Sequence, residues 1–92
     1  CRRHGARPVW IAGSGLASWM GDRTQRDLTS FGATSPAAKQ AYDAAGIGPG
    51  EVDVVELHDA FAPGELMHYD GLGLCQKGDG ARLALNGDTK LG

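Results

Sequence analysis

The chain has 92 residues, a formal net charge of −2 and 15 glycines, about twice the usual share of roughly 7%. That length supports one small domain with a modest core, and the near-neutral charge gives no electrostatic case for nucleic acid or an acidic membrane surface as partner. No apolar run approaches the roughly 18 residues of a membrane span and no secretory leader opens the sequence, so a cytoplasmic setting is expected.

The sequence starts at Cys1 without an initiator Met, which reads as a piece of something longer. Cys1 and Cys75 share no CxxC spacing, which argues against a zinc knuckle or a thioredoxin-type motif. A disulfide between them stays open, with free cytosolic thiols the simpler reading. Arg2, Arg3 and Arg7 form a short basic cluster, read as a solvated face rather than a phosphate site.

In chain order, Val9, Trp10 and Ile11 suit a buried strand over about 8–13. Gly13-Ser14-Gly15 then lets the backbone bend or approach another element closely. It is not a dinucleotide loop, because Ser18 stands where the third glycine of GxGxxG belongs and no helical pattern follows. Residues 20–34 are polar and without period, a loop long enough to be functional or to rest on a further segment. Ser35 as cap and Pro36 at the first helical position open a helix. Ala38, Ala41, Tyr42 and Ala45 form its buried face, and Gly46 ends it.

After the Gly48-Pro49-Gly50 turn, Val52, Val54, Val55 and Leu57 predict a strand over 52–58 that is covered on both faces. Helical spacing returns with Phe61, Glu65, Leu66, Tyr69 and Leu72 and stops at Gly73. Asp59 or Ala62 is the cap, with Pro63 in the first turn. The tail from Gln76 is turn-rich, with one short strand near Arg82–Leu85. The predicted class is therefore α/β, in the order strand, long loop, helix, strand, helix, short strand, with 8–13 and 52–58 in one sheet.

His58 and Asp59 fall at the carboxyl end of the second strand, where the next helix begins. Sites of open α/β sheets lie at such junctions, and helix N-termini there favour negative charge. An imidazole so placed can donate a hydrogen bond to a developing oxyanion, or hold a water that does. Equally, His58 can be structural and Asp59 a simple cap; position alone leaves both readings open.

The motifs HDAF at 58–61 and GLGLC at 71–75, with AGI at 45–47, GDT at 87–89, RPVWIAGSG at 7–15 and SPAAKQAY at 35–42, resemble the second half of thiolases of the sterol carrier protein X type. The resemblance covers nearly the whole chain and implies a partial thiolase fold over 1–92, a fragment of the C-terminal half. Thiolases make or break a carbon–carbon bond next to a thioester carbonyl, using a nucleophilic cysteine and a second acid/base cysteine. The position of His58 is an asparagine in the NEAF motif of biosynthetic and degradative thiolases, where it helps hold the thioester oxygen. The resemblance thus implies His58 as an oxyanion-site residue, Asp59 as a cap or as an acceptor behind His58, and Phe61 as packing beneath the site.

The nucleophilic cysteine, the GHP histidine motif and the final cysteine motif of that family are not in this sequence. Cys75 matches the structural LGLC cysteine, and Ala60 replaces the cysteine of HDCF, as in some bacterial and archaeal relatives. His58 and His68 make no metal spacing, and Tyr69 falls on the apolar face, where packing is the expected role. The resemblance implies no resident cofactor, with acyl-CoA and CoA as substrates of the parent. It also implies that the rest of the thiolase fold is needed, that the parent is a homo-oligomer, and that a zinc-ribbon/OB-fold protein can serve as partner. Three functions follow: a segment of an acyl-CoA C-acyltransferase, inactive alone; a segment of a thiolase-like steroid side-chain aldolase; or a non-catalytic interaction domain.

Overall fold

The computed structural model describes residue 5, residues 7–18 and residues 29–90. Helix α1 (Thr34–Ala45) is followed by a single 3-10 turn (Pro49–Glu51), then α2 (Ala62–Gly71) and α3 (Gly80–Asn86).

α1 carries the face expected of it. Ala38, Ala41, Tyr42 and Ala45 are half-buried while Lys39, Gln40 and Asp43 are exposed. Gly46 ends the helix in the left-handed region (φ 71°), its N–H bonded to the Tyr42 carbonyl at 2.8 Å. The start differs from expectation: the cap is Ala33, which has no capping side chain, and Ser35 is already helical. Pro36 fits there because the first four N–H groups of a helix have no intrahelical acceptor, so its missing donor removes nothing.

The segments expected as strands, 8–13 and 52–58, are neither helical nor laddered, and no described residue belongs to a β-strand. Val52 is extended (φ −90°, ψ 119°). A strand needs a neighbour for its N–H and C=O groups and a cover for its side chains. Here Val9, Trp10 and Ile11 are 92%, 83% and 91% exposed, so the apolar pattern is present without its cover. The α/β class is therefore not realised within the described residues. The third expected strand is corrected outright: Arg82–Leu85 lies inside α3. That stretch is bounded by Gly80 and by Gly87 at φ 82°, and an Asp79–Arg82 ion pair (2.7 Å) spans its first turn.

Small residues set the packing. A side chain on Gly13 would overlap the Ala41 carbonyl oxygen, and one on Gly15 the Ala37 carbonyl oxygen, so the 13–16 segment lies directly on the backbone of α1. The Leu16 N–H donates to Gln40 Oε1 at 3.3 Å in the same contact. The close approach expected of Gly13-Ser14-Gly15 is thus made against α1. Gly80 meets the Leu66 carbonyl in the same way and joins α3 to α2. The Tyr42 hydroxyl donates to the Leu72 carbonyl (3.0 Å), tying α1 to the end of α2. Tyr69 is the buried hydrophobic side chain among the described residues, 4% exposed.

Cys1, Arg2, Arg3 and residues 20–28 of the expected 20–34 loop lie outside the described residues. Among those described, no helix is long and apolar enough to cross a membrane.

Candidate functional site

His58 and Asp59 stand on the connection between Val52 and α2, and both are exposed. Among the described residues neither side chain has a hydrogen-bond partner. Asp59 is not a cap: Phe61 is the N-cap of α2, extended at φ −145° and ψ 133°, with no capping side chain. Pro63 does lie in the first turn. That turn is closed by the Gly64 N–H on the Phe61 carbonyl at 2.6 Å. Phe61 is 81% exposed, so it does not pack beneath the corner as the family pattern implies.

The Asp59 carboxylate instead lies over Gly64. A methyl group there would sit 3.6 Å from Asp59 Oδ1 and 3.8 Å from the Phe31 ring. Phe31 precedes α1 and stacks on His68, with ring centroids 4.7 Å apart and planes 26° apart. His68 Nδ1 is 3.1 Å from Thr34 Oγ1. Behind this group, the buried Tyr69 hydroxyl donates to Glu65, one turn earlier on α2. The 58–61 corner and the first turns of α1 and α2 are thereby brought together.

Burial raises the Tyr69 phenol above its ordinary value, and the hydrogen bond to Glu65 raises it further. Burial also raises the Cys75 thiol, with Asp70 adding to the effect, so this free, half-buried cysteine is disfavoured as a thiolate. That agrees with the structural role expected of it. The Arg82 guanidinium holds the half-buried Asp79 carboxyl below the usual range.

A cleft of about 350 Å³ lies between α1 and the end of α2, lined by Tyr42, Ile47, Pro49, Asp70 and Leu72 among others. No residue of the 58–61 corner lines it, so it is not the site the motif marks. Among the described residues no group of three or more His, Cys, Asp or Glu side chains is placed to hold a metal ion.

Sequence reasoning placed Tyr69 correctly in the core. It missed the bond from Tyr69 to Glu65, although the i, i+4 spacing on a helix was available to suggest it. It also missed the contact of Phe31 with His68, which are 37 positions apart with no local pattern linking them.

The HDAF corner ahead of α2 is the motif whose resemblance points to the C-terminal part of a thiolase. The chain belongs to the thiolase C-terminal domain-like family, whose pattern matches residues 11–92. It is similar to benzoylsuccinyl-CoA thiolase subunit BbsB of Thauera aromatica, with 42% identity over 94% of this chain and 22% of that protein. It is also similar to acetyl-CoA acetyltransferase of Methanothermobacter thermautotrophicus, 34% identical over 98% of this chain and 24% of the relative. Sterol carrier protein 2 of Rattus norvegicus is 42% identical over 71% of this chain and 12% of its own length. The chain therefore spans less than a quarter of the length of these curated relatives.

Proposed function

We propose that residues 1–92 form a segment of the C-terminal half of a thiolase-like acyl-CoA C-acyltransferase and that His58 is an oxyanion-site residue of that enzyme. The observation that carries this reading is the family match over 11–92, supported by the exposed position of the HDAF residues ahead of α2. In such an enzyme, a carbon–carbon bond next to a thioester carbonyl is made or broken. Negative charge moves onto the thioester oxygen as the bond changes. A donor fixed at that oxygen, directly or through a water, stabilises the transition state more than the ground state. The imidazole of His58 supplies a donor of that kind, and the N-terminus of α2 adds a favourable field.

The uncovered apolar side chains support the same reading. Val9, Trp10, Ile11 and Val54 are the pattern of two sheet strands lacking their neighbours. In the assembled enzyme we place 8–13 and 52–58 in one sheet, which makes the whole α/β. The nucleophile and the second acid/base lie in other parts of the thiolase fold, so this chain alone turns nothing over. The substrate class is an acyl-CoA, as the names of two relatives state for those proteins. One of them is named as a subunit, so a partner protein such as a zinc-ribbon/OB-fold acyl-CoA binder belongs to the proposal, as does a cytoplasmic homo-oligomeric parent.

The test is complementation. The 92-residue chain is combined with the remaining segments of a thiolase lacking this region, and acyl-CoA thiolysis is followed. Activity in the mixture, with none from either part alone, is expected. Turnover by the chain alone, or a mixture that associates and stays inactive, contradicts the proposal.

A further inference from the structure

Three glycine or histidine positions on one face of α2 receive the segment that leads into α1. Gly64, His68 and Gly71 are spaced four and three apart, which aligns them along the helix. The Phe31 ring reaches over Gly64 and stacks on His68 at 4.7 Å. The Thr34 hydroxyl meets His68 Nδ1 at 3.1 Å, and a β-carbon on Gly71 would sit 2.9 Å from the Thr34 methyl group. Thr34 is itself tied to Phe31 by its N–H on the Phe31 carbonyl (2.9 Å). The Asp59 carboxylate, on the connection ahead of α2, lies over Gly64 as well. Phe31 and the Asp59 carboxylate thus meet the same Gly64.

We infer that Phe31 and His68 are positioning residues for the His58–Asp59 corner. They touch no reacting group. They act through the first turn of α2, with His68 holding the Phe31 ring and the ring closing over Gly64 beside Asp59. The functional meaning of this inference rests on the oxyanion reading of His58, but its physical content does not.

The test uses NMR spectra and amide exchange of the full 92-residue chain, with no turnover measured, so its outcome is separate from that of the oxyanion reading. In Phe31→Ala and in His68→Ala, the His58 ring and Asp59 amide signals shift. Exchange of the Gly64 amide quickens about 3- to 10-fold, the effect of losing one aromatic pair. Phe31→Tyr keeps the ring and restores the wild-type values. The Gly80 amide, where α3 packs on the Leu66 carbonyl of α2, stays unchanged and reports that the fold persists. If Phe31→Ala unfolds the chain, Phe31→Leu carries the same expectation, because it fills the space without a stacking face. His58 and Asp59 signals that hold still while those of Thr34 and His68 move would overturn the inference. So would a Phe31→Tyr variant as perturbed as Phe31→Ala.

Discussion

A β-carbon on Gly13 would overlap the carbonyl oxygen of Ala41, so the 13–16 segment and α1 touch backbone to backbone. Neither side can yield by turning a side chain, since the clash is with a helical carbonyl. Gly13→Ala is expected to lower the stability of the chain by about 1–3 kcal/mol, the usual effect of overpacking. Thermal melts check the loss, and amide exchange should show it concentrated at Leu16 and along Ala41–Ala45. Unchanged melts would mean that this segment does not rest on α1.

The hydroxyl of Tyr42 is the polar tie between α1 and the end of α2, at 3.0 Å from the Leu72 carbonyl. Tyr42→Phe keeps the ring and leaves that carbonyl without this donor. A loss of about 1 kcal/mol is expected, measured by denaturant titration with an unchanged slope. A change in slope would instead point to an altered native or unfolded state.

Tyr69 links stability to alkaline pH. Its phenol is raised by burial and by the Glu65 hydrogen bond, so the folded chain holds this proton more tightly than the unfolded one. The contribution is fully present below the unfolded value of about 10 and is lost as pH rises through the higher folded value. Stability should therefore fall above about pH 10, and Tyr69→Phe should flatten that limb while lowering stability at neutral pH. Denaturation midpoints measured against pH for both proteins check the sign.

What the sequence made legible follows the range of the interactions involved. α1 was readable because Ala38, Ala41, Tyr42 and Ala45 repeat at helical spacing and Gly46 ends the repeat, all within a dozen residues. The HDAF corner was readable as a motif, and its placement just ahead of a helix held, though the cap proved to be Phe61 rather than Asp59 or Ala62. Val9 to Ile11 carried a true apolar pattern, yet a strand is a property of two segments, and no partner for this one is among the described residues. Arg82–Leu85 reads as a short strand in a turn-rich tail, but the flanking glycines and the Asp79–Arg82 pair favour one short helix. The contact of Phe31 with His68 joins residues with no shared period and was invisible until the helices were packed.

Cys75 should behave as a packing residue. Burial and the nearby Asp70 hold its thiol above the ordinary range, so little thiolate forms at neutral pH. Alkylation by iodoacetamide at pH 7.5 (a condition of about one unit below a free thiol) is expected to be slower than that of an unstructured cysteine peptide, and to accelerate on unfolding. Rapid labelling of the folded chain would show an activated cysteine and reopen its role.

The central claim is that His58 acts on the thioester oxygen, and steady-state kinetics of His58→Ala in the assembled thiolase-type enzyme test it most directly. The account predicts that kcat falls on the order of a hundredfold, with KM and melting temperature nearly unchanged, because a donor that strengthens in the transition state has been removed. His58→Asn should be milder, since asparagine can still position a water. A His58→Ala enzyme with near-wild-type kcat and a lowered melting temperature would contradict the account and make His58 a structural residue.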